Sequence, residues 1–172
     1  ADDTFDGSGF FNAGTGTYIQ TLNNADSIDG AAGTDTLNVI LNTATATTLP
    51  AAMTSIEVIN LTNTVGTNIL DLSNATDVTT LNSVASATQI AQFNNVQSAP
   101  TNFGLTNTGV GLTANILNTA LAGTSDAATL TLQGVTAGTV TLQTVTAASG
   151  YETLNVVSNG TATNVLTGLT DG

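Results

Sequence analysis

The fold can be predicted from the segment Ser55-Ile56-Glu57-Val58-Ile59-Asn60-Leu61-Thr62. Apolar and polar residues alternate through most of it, which is the pattern of a strand with one buried face. The stretch returns about 95 positions later as Gly150-Tyr151-Glu152-Thr153-Leu154-Asn155-Val156-Val157. A second echo follows each copy, Thr67-Asn68-Ile69-Leu70 after the first and Thr163-Asn164-Val165-Leu166 after the second. A repeat of this length spans several coils of a β-solenoid.

Short runs of the same kind recur along the whole chain, separated by turns rich in Gly, Asn, Ser, Thr and Ala. Besides the two copies above, they cover residues 36–41, 69–72, 78–81, 90–93, 129–132, 140–142 and 164–166. Short strands on a nearly regular pitch suit solenoid coils better than the longer strands of a sandwich. Helical signals are weak, and residues 50–54 form a short turn at most. We therefore predict an all-β fold, a parallel β-helix or β-roll-like solenoid of short strands with little or no helix.

The charge composition excludes several classes of function. The 172 residues include no Lys, Arg, His or Cys, and 12 acidic residues give a formal charge of −12. Without a cationic side chain the protein cannot neutralise phosphates, so we expect no nucleic-acid partner. The same absence removes His bases, Lys Schiff bases, Cys nucleophiles and zinc sites, so we expect no enzyme. What remains are carboxylate, hydroxyl, amide and backbone groups, which are ligands for a hard cation such as Ca²⁺.

The same composition bears on where the protein works. No apolar run approaches the roughly 18 residues of a membrane span, so we expect no membrane insertion. A cytosolic surface ordinarily mixes charges of both signs, and this chain has only one, so we predict a secreted, cell-surface location. The start, residues 1–4, shows neither a signal peptide nor an initiating Met, which predicts a segment of a longer chain.

Half of the acidic residues lie in the first 35 positions, next to a recognisable motif. Residues 30–38 fit the nonapeptide Gly-Gly-x-Gly-x-Asp-x-aliphatic-x of calcium-binding β-helix repeats, with Ala31 in place of the second Gly. The preceding unit keeps Asp26 and Ile28 in register but lacks the glycines, and residues 1–7 look like the tail of one more unit. The predicted calcium ligands are Asp35, Asp26, Asp3, Asp29, Asp2 and Asp6.

The nonapeptide suits calcium for physical reasons. Its glycines allow tight left-handed turns that direct carbonyl oxygens inward, and its Asp supplies the charge. Stacked turns then bring carboxylates from successive coils around one ion. The alternative is that Asp and Gly only cap junctions between strands and turns, as Asx turns.

The order of these features resembles the RTX-type surface-layer (S-layer) proteins of Gram-negative bacteria. The recognisable motifs cover about residues 1–85, and the remainder is similar in composition only. The resemblance implies type I secretion, calcium-dependent β-solenoid domains and a lattice on lipopolysaccharide, which other parts of the full-length protein would contact. It also implies calcium roles for Asp26 and Asp35 and, by extension, for Asp3. We divide the chain into degenerate RTX-like calcium-binding coils (1–38) and a Thr/Asn-rich β-solenoid (39–172) that holds the partial repeat 55–62 and 150–157.

We therefore expect a structural component of a secreted bacterial cell-surface assembly that folds with calcium and assembles with copies of itself. One alternative is a spacer module of an RTX adhesin or biofilm-matrix protein. A more remote alternative is a polysaccharide-active enzyme on a β-helix, with Glu57 and Glu152 as paired carboxylates. Such a pair must lie about 5–10 Å apart, whereas equivalent positions of successive repeats lie coils apart.

The remaining polar and aromatic residues predict structural roles. Asp71, Asp77 and Asp126 are expected at solvated turns or strand edges. The Phe and Tyr residues are expected to plug the core or its corners. Asn ladders are expected inside the solenoid, built from Asn38, Asn60 and Asn155.

Overall fold

The computed structural model describes residues 1–43, 47–48, 50, 52–147 and 149–172. The strands in chain order are β1 (Thr4–Gly7), β2 (Phe10–Asn12), β3 (Thr17–Ile19), β4 (Ser27–Asp29), β5 (Thr36–Leu41), β6 (Thr47–Thr48), β7 (Ala52–Thr54), β8 (Val58–Asn63), β9 (Ile69–Asp71), β10 (Thr80–Val84), β11 (Ala91–Val96), β12 (Asn102–Thr106), β13 (Leu112–Ile116), β14 (Ala127–Gln133), β15 (Gly138–Thr144), β16 (Thr153–Asn159) and β17 (Leu166–Asp171).

These strands wind into a β-solenoid of about five turns, which confirms the predicted fold class. Strands make up 49% of the structure, and its described residues contain no helix, hence none that could cross a membrane. The first sheet has the order β1-β5-β8-β10-β12-β14-β16, and the second has the order β17-β15-β13-β11-β9-β6. All pairs within these two sheets are parallel, and from β5 onward each coil contributes one strand to each sheet.

The coil length is regular in the middle of the chain. Neighbouring coils from β5 to β10 are offset by 22 residues, so Thr36, Val58 and Thr80 stand side by side. The offset grows to 26–29 residues in the last coils. Residue 38 lies inside β5, which pairs with β1 on one side and β8 on the other. The two predicted parts of the chain therefore share one continuous sheet.

The core consists of columns of aliphatic and aromatic side chains that point inward between the sheets. Within β8, residues facing the core are fully buried and their neighbours only partly so, which matches the alternation read from the sequence. One column contains, in adjacent coils, Leu37, Ile59, Leu81, Phe103 and Leu130. Each of these side chains is at most 1% exposed. Such burial stabilises by about 1.5–3 kcal/mol per side chain, before the cost of chain ordering.

The aromatic residues divide into two groups. Phe93, Phe103 and Tyr151 are buried, as predicted, and Tyr151 packs edge-to-face on Phe103 with ring centroids 5.7 Å apart. The prediction is wrong for Phe10, Phe11 and Tyr18, which are 53%, 54% and 53% exposed. They lie on the antiparallel hairpin β2–β3, which projects from the first coil and has no neighbouring coil to cover it.

The predicted turn at residues 50–54 is also wrong in part. Ala52–Thr54 forms β7, which pairs with β4 and so gives the first coils a short third side. The remainder of that turn includes position 51, which lies outside the described residues.

The buried hydroxyl of Tyr151 should make the stability of the protein depend on pH. Its hydroxyl donates to the Pro100 carbonyl at 2.7 Å, and burial, with the nearby carboxylates of Asp171 and Asp126, raises the pKa of Tyr151. We expect Tyr151→Phe to cost about 1–2 kcal/mol near neutral pH, because the buried carbonyl loses its donor. Unfolded tyrosine ionises near pH 10, so the wild type should lose stability above about that pH. The stability gap between wild type and Tyr151→Phe should therefore narrow in alkali when measured by urea unfolding, and a gap independent of pH would contradict the assignment.

Candidate functional site: an acidic corner of the solenoid

Carboxylates mark the corner where each early coil enters the first sheet. Asp35 precedes β5 and Glu57 precedes β8. The backbone N–H of Asp3 donates to Asp35 Oδ1 at 2.6 Å, and the N–H of Asp35 donates to Glu57 Oε2 at 2.7 Å. Three successive coils are thus joined by charge-assisted hydrogen bonds from backbone to carboxylate.

Asp35 is the unusual member of this corner. It is 0% exposed, and its second oxygen, Oδ2, is buried without a hydrogen-bond partner. A buried polar atom without a partner costs about 1–3 kcal/mol, and more when charged. Since the sequence contains no Lys, Arg or His, no side chain of this protein can supply the missing positive charge.

The nonapeptide loop brings backbone close to this carboxylate. A Cβ on Gly30 would overlap the Ser55 carbonyl oxygen and lie 2.6 Å from Asp35 Cγ, so only glycine fits between them. Ala31, which replaces the second Gly of the motif, has a left-handed φ of 62°. This conformation costs an alanine about 1–2 kcal/mol of conformational energy. The backbone nevertheless makes the left-handed turn at Ala31, although the glycine of the motif is missing there. Gly33 follows with a φ of 147°.

The structure gathers some of the six predicted ligands and separates others. Asp2 accepts the N–H of Thr34 at 3.0 Å, so Asp2, Asp3 and Asp35 meet at the nonapeptide loop. Asp29 instead caps the N–H of Ala31 at 2.9 Å, in an Asx turn on the chain leading into that loop. In the described part of the chain, no three carboxylates are arranged to hold a metal ion by side chains alone.

Asp26 and Asp6 lie away from this corner. Both line an open groove of about 440 Å³ beside Leu22, and its lining does not include Asp35. Asp26 accepts the N–H of Asn23 at 2.8 Å, and Asp6 accepts the N–H of Ser8 at 2.9 Å. The Ser8 hydrogen bonds hold the pKa of Asp6 below its usual value. Asp6 and Asp29 therefore have the geometry of the Asx-turn alternative, whereas Asp26 closes a turn in the opposite direction by accepting from a residue three positions before it.

A second acidic corner lies near the C-terminal end and was not predicted. The N–H of Asp126 donates to Glu152 Oε2 at 2.7 Å, which repeats the contact between Asp35 and Glu57. Asp126 Oδ2 is also buried without a partner, and Asp171 accepts the N–H of Tyr151 at 2.8 Å. Asp126 lies immediately before β14, at a strand edge as predicted, but it is only partly exposed because Glu152 of the following coil caps it.

The other two acids predicted to be solvated differ from each other. Asp71 is only partly exposed, and its Oδ2 accepts from the amide of Asn95 at 3.0 Å. Asp77 is exposed, as predicted, and caps the N–H of Ser55 at 3.0 Å.

The two copies of the sequence repeat thus form the same kind of corner, in which a Glu carboxylate accepts a backbone N–H of the preceding coil. Glu57 and Glu152 each cap the preceding coil, and they stand four coils apart. At about 4.8 Å per coil their separation is about 19 Å, beyond the range of a glycosidase pair. Asn68 and Asn164 fasten the opposite corner in the same way, donating to carbonyl oxygens of Thr43 and Leu132 in the preceding coils at 3.0 and 3.2 Å.

An amide ladder crosses the outer face of the first sheet. The Asn60 amide donates to Asn38 Oδ1 at 2.9 Å, and the Asn82 amide donates to Asn60 Oδ1 at 2.8 Å. The next coil has Gly104, where a Cβ would overlap Asn82 Oδ1. A ladder through Asn38 and Asn60 was correctly predicted, but it lies outside the solenoid rather than inside. Asn155 pairs with Thr129 in a different row and is not a member.

Comparisons of this chain with known protein families, with curated proteins and with solved structures found no match.

Proposed function

We propose that the protein is a structural component of a secreted bacterial cell-surface assembly of the S-layer type, folded and assembled with calcium. The observation that carries the proposal is Asp35, a fully buried carboxylate with a free oxygen in a chain without cationic side chains. A buried charge is costly unless it is neutralised, and an opposite charge or a metal ion is the usual compensation. As part of this proposal the chain is not an enzyme, and Glu57 and Glu152 serve as caps between coils.

The donor set at this corner fits calcium. Asp35 Oδ2 has a free coordination position, and the Ser55 carbonyl oxygen lies against the same glycine, Gly30. Calcium accepts six to eight oxygen ligands from carboxylates, backbone carbonyls and water, so side-chain oxygens need not dominate. When bound, the ion would supply the positive charge that no side chain of this protein provides. Asp35 and the Ser55 carbonyl would hold it, with Glu57 fixing the backbone of Asp35.

The C-terminal coil supports the assembly part of the proposal. Val156 and Leu169 occupy core-facing rows, opposite Leu130 and Val140, which are both 0% exposed. Yet Val156 and Leu169 are 48% and 43% exposed, because β16 and β17 are edge strands with no further coil above them. Unpaired edges and open apolar rows favour the addition of another coil, from a continuation of the chain or from a second copy.

Calcium should raise the melting temperature through Asp35. Extracellular sites have Kd values of about 10⁻⁴–10⁻³ M, so calcium near 10 mM should add roughly 1–3 kcal/mol of stability. For a chain of this size that corresponds to about 3–10 °C relative to EDTA. Asp35→Asn preserves the shape and removes the charge, so it should abolish most of this gain.

Asp77→Asn is the matched control, because Asp77 also caps one backbone N–H but is exposed. It should keep the full calcium response in differential scanning calorimetry. Equal melting temperatures in EDTA and calcium for the wild type, or equal losses for the two variants, would refute calcium binding at Asp35.

A further inference from the structure

A groove runs over the outer face of the first sheet, along the amide ladder. Its first part has a volume of about 280 Å³ and is lined chiefly by Asp6, Ser8, Asn38, Ile40, Asn60 and Thr62. A second depression of about 390 Å³ shares Ile40 and is lined on one side by Tyr18 of the β2–β3 hairpin. The two depressions together, from Asp6 to Tyr18, are called the ladder groove below.

The floor of the ladder groove is a column of polar groups, one on each strand. Asp6 pairs in register with Asn38, which is followed by Asn60, and beyond the residues that line the groove the column continues through Asn82 and ends at Gly104. The ladder bonds use one N–H of Asn60 and one of Asn82, and the second N–H of each amide has no partner among the residues that the structure describes. Asp6 Oδ1 accepts from Ser8, which leaves Oδ2 for another donor. The column therefore offers a spare acceptor at Asp6 and spare donors at the Asn residues that follow, at the strand spacing of about 4.8 Å.

The wall of the groove adds an aromatic face and a further acceptor. Tyr18 is 53% exposed and is held edge-to-face by Phe11, with ring centroids 5.3 Å apart. Asn42 lines the same depression, and its Oδ1 is buried without a hydrogen-bond donor. A ligand that fits this wall has an apolar face for the ring and hydroxyl groups for the amide oxygen.

The charge of the groove narrows the class of ligand. Asp6 is the single carboxylate among the described residues that line it, and the sequence has no cation to balance it. An anionic ligand would meet a protein of charge −12 without one compensating group. A peptide strand would add at an unpaired sheet edge, which here is β1 at the end of the column, whereas β5 and β8 beneath the rest of the groove are interior strands whose backbone groups already pair. A neutral polyhydroxylated chain can donate to Asp6 and accept from the spare amide N–H of Asn60 without adding a charge.

We propose that the ladder groove binds an extended neutral polysaccharide, with one sugar residue per rung of the ladder and one ring stacked on Tyr18. A pyranose ring has an apolar face for the aromatic side chain and equatorial hydroxyls that both donate and accept, as Asn amides do. The proposal depends on the groove alone and is independent of calcium and of self-assembly.

The test is titration calorimetry with linear neutral oligosaccharides of glucose, mannose and galactose, from two to eight units. At least one series should bind, with affinity rising up to about four units, the number of rungs at the strand spacing, and then levelling off. A uronic-acid oligomer of matched length should bind at least tenfold more weakly. If no neutral series binds, or if the acidic oligomer binds equally well, the proposal is overturned.

Two variants and one control locate the binding. Tyr18→Ala should weaken binding at least tenfold, and Ile40→Lys, which fills the junction of the two depressions, should abolish it. Phe10 is the matched control, because it is equally exposed on the same hairpin but does not line the groove. Phe10→Ala should leave the affinity unchanged, and an equal loss from Phe10→Ala and Tyr18→Ala would overturn the assignment. So would a Tyr18-dependent dimer on gel filtration without glycan binding, because the groove would then be an interface between copies.

Discussion

Gly111→Ala is expected to lower the free energy of unfolding by about 3 kcal/mol or more. Gly111 is buried immediately before β13, where its carbonyl accepts the N–H of Ala91 from the preceding coil. On its other side a Cβ would overlap the carbonyl oxygen of Thr139, which is backbone of the following coil. Neither neighbour is a side chain that can rotate away, so the coils themselves would have to separate. Urea unfolding followed by circular dichroism measures the loss.

Gly109→Ala is the control, two residues earlier in the same turn. Its Cβ would meet the Ala87 carbonyl oxygen and Thr136 Oγ1 at 3.4 Å, which is ordinary contact. We expect a change within about 1 kcal/mol, of either sign, because alanine also restricts the unfolded chain. Similar losses for the two variants would show that the spacing between coils is not what makes Gly111 necessary.

The strands could be predicted where aliphatic residues alternate with polar ones. Residues 36–41 were predicted as a strand and form β5 with the same bounds. β12 was missed, because Asn102 and Gly104 dilute its pattern and Gly104 disfavours an isolated strand. Its place is determined instead by neighbouring coils, since Asn102 stands 22 residues after Thr80 in the register. A regular coil length can therefore impose a strand on a sequence whose local preference is weak.

The candidate site could be predicted only as far as the motif extends. The nonapeptide pointed to Asp35, and the structure shows that it is the buried carboxylate of its corner. The hydrogen bond between Asp35 and Glu57 depends on the register between successive coils. No local sequence pattern determines that register. Asp126 has no glycine motif around it, and its similarity to Asp35 appears only through the contact with Glu152. The alignment of the two Glu residues was the one signal that could have revealed it.

The hairpin β2–β3 was missed for a different reason. Aromatic residues are rare in this chain, at 4%, and in such a composition they were expected inside. Phe10, Phe11 and Tyr18 instead lie on a projection formed within the long first coil, whose offset from the next is 32 residues. The extra residues of this coil form a hairpin that is separate from the two main sheets. The burial of its aromatic side chains could therefore not be inferred from residue type.

Calcium is expected to convert the protein from a monodisperse solute into a regular assembly. At a charge of −12, copies repel one another, and this keeps them apart without a divalent ion. Calcium can bridge carboxylates of two copies, whereas sodium chloride only shortens the repulsion, to about 8 Å at physiological strength. Light scattering should therefore show growth in millimolar-range calcium, none in sodium chloride of matched ionic strength, and reversal by EDTA or by acid, which protonates the carboxylates.

The open coil at β16 and β17 allows the mode of assembly to be tested in this 172-residue chain. Val156→Asp places a charge on the exposed core-facing row and should suppress calcium-dependent growth at least tenfold. Val145→Asp is the control, because Val145 is exposed to a similar extent, 51% against 48%, but follows β15 in a turn outside the core rows. Equal growth of the two variants would show that copies do not meet through the open coil.

Experiments on the natural protein at its full length can distinguish a lattice component from an adhesin spacer. A lattice component must associate laterally as well as end to end, and the flat Thr/Asn faces of the two sheets offer surfaces on which neighbours can pack. Negative-stain images of the full-length protein in calcium should therefore show a sheet or filament with a fixed repeat, which disappears in EDTA. An adhesin spacer needs the same calcium-stabilised coils but no contact between copies, because its task is to hold binding domains at a distance. If the full-length protein gains stability from calcium through Asp35 and yet remains monodisperse, the lattice proposal fails and the spacer becomes the function that these coils serve.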